Sequence, residues 1–267
     1  MANHRARDHG AAPTGASLAN ACSMRRIEVA ARIGTAGWAI PAASRDRFPA
    51  GGTGLERYAA RFDAVEINSS FYRPHRRATY ERWAAAVPDD FVFAVKLPKA
   101  ISHGARLVGA EDLLTGFAEG VAGLGGKLGV ILVQLPPSLA LDVSVAEQFF
   151  AQFGKTIPAA AIVCEPRHAS WFTGDANALL TGLRVARVAA DPAILPIAGQ
   201  PGGWPGLRYR RLHGSPTIYR SSYDAHALGT IAADMAPAGT RDWCIFDNTA
   251  SGAAIANALT LQSIVSA

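Results

Sequence analysis

The chain is poor in cysteine. Its 267 residues hold three, Cys22, Cys164 and Cys244, and an odd number at wide spacing gives neither a disulfide framework nor a zinc site. Cys164 and Cys244 stand in apolar runs, where a thiol packs as a small hydrophobe, so the expected setting is reducing and cytoplasmic. Lysine is scarce too. Only Lys96, Lys99, Lys127 and Lys155 are lysines among 26 basic residues. The net charge of +5 thus comes without the clustered basic face of a dedicated nucleic-acid binder, and it favours anionic partners only weakly. No apolar run reaches the roughly 18 residues of a membrane-spanning helix, so no membrane partner is expected. Hydrophobic residues at 49% against 18% charged exclude a disordered chain, which needs the reverse balance. No G-x-G-x-x-G follows the first apolar run, against an open doubly wound dinucleotide fold. Neither H-x-H nor H-E-x-x-H spacing is present, so no metal motif stands out.

What is present alternates. Residues 1–24 carry Ala, Gly, Asn and Arg without apolar period and read as a disordered tail. Arg5 and Arg7 are not followed by the apolar stretch of a signal peptide, and Met24 is an alternative start. Residues 25–267 read as one domain. Eight apolar runs, rich in Val, Ile and Phe, fall at 32–37, 64–68, 91–96, 128–134, 161–165, 185–189, 207–213 and 241–247. They have the composition of parallel strands buried on both faces. Helical patterns fill most gaps between them, at 79–86, 110–122, 145–153, 177–183, 225–235 and 250–261. Those after the first run (55–61) and the sixth (192–205) are weak. Eight strand–helix repeats specify an α/β fold of the (β/α)8, or TIM-barrel, type.

Barrel chemistry sits where strands end, and the runs end in polar residues. The second ends Glu66-Ile67-Asn68, the third Val95-Lys96, and the fourth Val133-Gln134. The fifth ends Cys164-Glu165 and continues Pro166-Arg167-His168. The seventh ends Arg211-Leu212-His213, and the eighth Phe246-Asp247-Asn248. Alternate residues of a strand face opposite ways. If Val65 and Ile67 meet the helices, Glu66 points into the barrel, and the same parity turns Lys96, Glu165, Arg211, His213 and Asp247 inward. Each has a plainer role open to it. Arg167 can brace Glu165 or Asp191, His213 can sit in a turn, and Asp247 or Asn248 can cap the last helix. Repetition favours a shared site, because gathering charges on one side of a core is costly unless they pair with each other or with a ligand. Trp38, Phe71, Tyr72, Trp171, Tyr219 and Tyr223 crowd the same rim.

These segments resemble a known family. Gly34-Thr35-Ala36-Gly37-Trp38, Val65-Glu66-Ile67-Asn68-Ser69-Ser70-Phe71-Tyr72-Arg73, Gln134-Leu135-Pro136, Glu165-Pro166-Arg167-His168-Ala169-Ser170-Trp171-Phe172 and Arg211-Leu212-His213-Gly214 are similar to the YecE-like family, domain of unknown function seventy-two, over about residues 32–261. The resemblance implies a TIM barrel with a polar pocket at the strand ends. It marks Glu66, Asn68, Tyr72, Lys96, Gln134, Glu165, Arg167, His168, Trp171, Arg211, His213, Gly214 and Asn248, and ranks Asn248 above Asp247.

The expectation is an enzyme, hydrolase- or isomerase-like, acting on an anionic substrate such as a phosphate ester or nucleic-acid phosphodiester. Glu66, Lys96, Glu165 and His213 are the candidate catalytic residues: carboxylates as acid, base or ligands of a divalent metal, and His213 as proton shuttle. Asn68, Tyr72, Gln134, Arg167, His168, Trp171, Arg211, Tyr223 and Asn248 are the candidate substrate contacts. Two alternatives stand beside it: metal-free sugar or carbonyl chemistry on Lys96, and a non-catalytic barrel that binds nucleic acid or another ligand.

Overall fold

The computed structural model describes residue 1, residues 31–235 and residues 241–266; the expected tail, Met1 apart, lies outside them. All eight apolar runs are strands: β1 (Arg32–Thr35), β2 (Ala64–Ile67), β3 (Val92–Lys96), β4 (Leu128–Gln134), β5 (Ala161–Glu165), β6 with β7 (Val185–Arg187 and Ala189–Asp191), then, after the short β8 (Gly202–Gly203), β9 (Arg208–Leu212) and β10 (Asp242–Phe246). They pair in parallel, β2 through β6 in chain order and β7 through β9 and β10 to β1. The sixth staves of the barrel are one strand in two pieces. β6 pairs with β5 and β7 with β9, while between them Val188 N donates to Cys164 O at 2.8 Å.

The ring closes between β1 and β2 by a thin seam. Ala36 bridges Glu66, and Gly37 N donates to Glu66 O at 2.8 Å. The buried Tyr58 supplies what the ladder lacks: its hydroxyl accepts from Thr35 N and donates to Ala64 O, both at 2.9 Å. Gly34 permits this approach, since a Cβ there would stand 2.3 Å from Ala64 O.

Side chains alternate as the pleat requires. Ala64, Ala94, Val130, Leu132, Val163, Tyr209 and Ile245 fill the barrel, whereas Val65, Ile67, Phe93, Val95, Ile131 and Cys164 pack against the helices. Those helices are α1 (Gly54–Ala59), α2 (Arg77–Ala85), α3 (Glu111–Val121), α4 (Val143–Thr156), α5 (Gly174–Gly182), α6 (Ala225–Asp234) and α7 (Ala253–Val265). α1 starts on a reciprocal Thr53–Glu56 cap, the arrangement that satisfies free amides of a first turn. After the sixth strand there is no α-helix. Pro192, Pro196, Pro201 and Pro205 recur too often for one, and a single turn, Pro196–Gly199, replaces it. A cavity of about 330 Å³, lined by Asp191, Leu212, Tyr223 and Ile231 among others, remains between β7, β9 and α6.

At the other end of the barrel, Ala31 and Ser266 line one recess together with Arg61, Asp63 and Gln262. Among the described residues no helix is long and apolar enough to cross a membrane.

Candidate active site at the strand ends

The ends of β2, β3, β5, β9 and β10 carry one buried charge network. Its centre is Arg211, fully buried, on β9. Its guanidinium forks onto Glu66 (Nε to Oε2 3.0 Å, Nη2 to Oε1 2.7 Å) and reaches Glu165 through Nη1 at 2.7 Å. Nη2 also donates to Asp247 at 2.9 Å. Tyr209, two residues earlier on the same face, donates its hydroxyl to Glu66 at 2.9 Å. Gln134 donates to Glu165 at 3.1 Å. His213 bridges the two carboxylates, with Nδ1 3.0 Å from Asp247 and Nε2 3.0 Å from Glu165. Arg167 stands above, donating to Glu165 and lying 3.0 Å from His213 Nε2.

These contacts set the protonation states. Burial opposes the charge on Glu165, but Arg211, His213 and Arg167 outweigh it and hold its carboxyl well below the usual range. Asp247 is lowered likewise, burial being overcome chiefly by Arg211 and His213. Burial alone would depress His213; Glu165 and the hydrogen bond to Asp247 reverse the sign and raise it. Tyr209 is pushed up by burial and by the neighbouring Glu66.

Lys96 differs. It is 6% exposed, and its ammonium lies 4.2 Å over the Phe71 ring. Among the described residues it has no hydrogen-bond acceptor. Burial, then the adjacent Arg211, brings its pKa down to about 8 against the partial support of Glu66, Glu165 and Asp247. The other mouth residues are Tyr219, whose ring meets His213 edge-on at 5.8 Å, and the exposed Tyr72 against Phe71.

The carboxylates do not fit a divalent metal. Both oxygens of Glu66 and of Glu165 are held by donors, and a guanidinium fills the centre where a dication would bind. Among the described residues no group of three or more His, Cys, Asp or Glu side chains is arranged to hold one.

A profile described as "Protein of unknown function DUF72" matches residues 32–267. The chain belongs to the DUF72 family. The UPF0759 protein YecE of Escherichia coli K12 is 38% identical over 84 residues, 32% of this chain and 31% of YecE, so the match spans about a third of that relative's length. A DUF72 family protein of Enterococcus faecalis V583 superposes with a TM-score of 0.73 at 21% identity over 89% of this chain and 96% of its own. One from Thermotoga maritima MSB8 gives 0.71 at 20% identity, over 89% and 99%. At such identities the likeness is one of fold.

Of the DUF72 motif residues, Glu66, Lys96, Gln134, Glu165, Arg167, Arg211 and His213 meet in the network, but not all as direct contacts. Arg211, Glu66 and Glu165 have no exposed surface, whereas Lys96 and Arg167 keep some. Trp171 lies elsewhere: it is buried in the helix-side core and donates to Leu139 O at 2.9 Å. His168 caps the following turn through Ser170 N. Asn248 ties Ser221 to Asn257 of α7, while Asp247 enters the network. Tyr223 accepts from Gly214 N and donates to Asp191 at 2.5 Å, bracing the loop outside the pocket. Gly214 itself has φ +93°, and a Cβ would meet Ser221 O at 2.8 Å, so the turn after His213 requires glycine. Tyr72 is on the rim, and Asn68 follows β2 with a buried Oδ1 that lacks a partner. Tyr209 was the residue overlooked; it shares the inward face of β9 with Arg211 and His213, and that parity was the available signal.

Proposed function

We propose that this DUF72 protein is an enzyme acting on a small anionic substrate, such as a phosphate ester, bound at the mouth between Lys96 and Arg167. One observation carries the reading: the network leaves two cationic donors without acceptors. The oxygens of Glu66 and Glu165 are committed, whereas the Lys96 ammonium has no acceptor among the described residues and the buried Nε of Arg167 has none either. Unmet buried donors are expensive, and an oxygen-rich anion satisfies them with charge-assisted bonds. The depth of Lys96, beneath Phe71, favours a small or end-on group over the backbone of a nucleic acid. His213 and Glu165 lie beside that position as the proton-handling pair. The free, buried thiols of Cys164 and Cys244 agree with a reducing cytoplasm.

The test is thermal melting against inorganic phosphate. A ligand at 100 times its Kd adds about 2.7 kcal/mol to the folded state, so a clear rise in Tm is expected for the wild type. The rise should be lost in Lys96→Met and reduced in Arg167→Gln. An equal rise in all three, or none in the wild type, overturns the reading. Parallel titration with a labelled single-stranded oligonucleotide checks the non-catalytic alternative; tight, salt-sensitive binding there without phosphate binding would favour it.

A further inference from the structure

The four lysines of this chain do not have the same chemistry. Lys127 is an ordinary structural lysine, donating to Ala84 O and Val87 O at 2.8 and 2.7 Å and lying 3.7 Å from Asp89. Lys99 and Lys155 are exposed. Lys96 alone is buried among the strand ends, and every carboxylate that would pair with it is engaged by Arg211 or His213.

We propose that Lys96 is a covalent site: its Nζ condenses with the carbonyl carbon of a small anionic aldehyde or ketone and carries it as an iminium ion. This rests on the anionic-substrate reading above and adds the functional group that the substrate must bear. The ammonium first gives up a proton to solvent at the mouth. The free nitrogen pair attacks the carbonyl carbon, and the C=O pair moves to oxygen, which is protonated. The resulting hydroxyl leaves as water while nitrogen sheds a second proton and takes one C=N bond. In sum an ammonium and a carbonyl give an iminium and one water, with no oxidant or reductant.

Three features of the pocket suit that step. The amine is accessible as a base, since burial and Arg211 bring its pKa to about 8, close to working pH, where nucleophilic lysines operate. The positive charge is the same before and after, so Glu66, Glu165 and Asp247 stabilise the iminium as they did the ammonium. The Phe71 face, 4.2 Å from Nζ, supports a cation without offering an acceptor that would hold the nitrogen protonated. The substrate's anion then falls to the unpartnered Arg167 Nε–H.

With so few lysines, trapping is easily mapped. Native protein is incubated with glyoxylate, a small anionic aldehyde, or with acetaldehyde, its uncharged counterpart. Cyanoborohydride then reduces any iminium, and peptides are sequenced by mass spectrometry. Glyoxylate should modify Lys96 at least about tenfold faster than Lys99 or Lys155, because the pocket holds its carboxylate at Arg167 with the carbonyl beside the Lys96 amine. Inorganic phosphate should slow the reaction. Modification of Lys96 at equal rates by both aldehydes, indifferent to phosphate, keeps the covalent site and overturns the anionic reading. If Lys96 stays unmodified while Lys99 and Lys155 react, and phosphate still raises Tm, the covalent site is overturned and the anionic reading stands. Modification of Lys96 only after denaturation also overturns it.

Discussion

Removing one charge from the network tests what each residue contributes. Glu165 receives donors from Arg167, Arg211, Gln134 and His213. Glu165→Gln presents those donors with an amide, and breaking a buried ion pair from one side costs about 3–5 kcal/mol; urea unfolding should show that loss. The same variant should lower the His213 pKa, read by NMR, because the first cause of its elevation is gone. The elevated wild-type value stabilises the fold below the unfolded pKa of about 6.5 and ceases to do so as pH rises through the folded value. Glu165→Gln should therefore lose less stability than wild type over that rise. Lys96 has the opposite sign. Below pH 8 the fold bears the burial of an ammonium. From about 8 to the ordinary lysine value of 10.5 the folded amine is neutral while the unfolded chain still binds a proton, so stability rises with pH, by roughly 3 kcal/mol at most. Lys96→Met should accordingly be more stable than wild type at pH 7, with the advantage shrinking toward pH 10. A constant difference across that range would refute this account. The inward set was legible because strand parity is strict: Glu66, Lys96, Glu165, Arg211 and His213 follow from it. Which cation sits at the centre was not, since that depends on how far each strand rises around a closed ring. Trp171 and His168 lie beyond a strand end, where parity no longer applies. Asn248 follows Asp247 and so falls on the opposite parity, and only the family resemblance marks it.

At the scale of elements, the seam between β1 and β2 is held by a side chain in place of a ladder. Tyr58→Phe would leave Thr35 N and Ala64 O buried without partners, a cost of about 1–3 kcal/mol for each group. Native-state hydrogen exchange should show the Thr35 amide opening faster in the variant, while amides of β4, deep in the continuous part of the sheet, lose only the global difference. Unchanged exchange at Thr35 would mean that the seam is held by something else. All eight strands were legible as apolar runs, and six helices as periodic stretches between them. The weak helical pattern after the first run became the two turns of α1, too short for periodicity to register. The proline-spaced stretch after the sixth could not form a helix, and the sequence said so. The division of that strand into β6 and β7 is not encoded locally. It arises because neighbouring strands impose different pairing on each half.

For the whole molecule, the two buried thiols are reporters on well-separated staves, Cys164 on β5 and Cys244 on β10, neither with exposed surface. Burial pushes the Cys244 thiol up to about 12 and raises Cys164 too, so neither reacts until the barrel opens. In a Cys22→Ser background both should be alkylated at one shared rate, equal to that of global unfolding. Faster reaction at Cys244 would show that the β9–β10–β1 side opens independently.

The recess shared by Ala31 and Ser266 has a practical meaning. Both lie at the end of the barrel opposite Lys96 and Arg167, so in a core trimmed to residues 31–266 a fusion partner, affinity tag or surface tether joined at either one leads away from the mouth. Their proximity also lets a short linker join them, so that new ends can be cut in the turn at 196–199, where no helix has to be broken. Such a circularly permuted barrel would keep its pocket facing free solution while hanging from the far side.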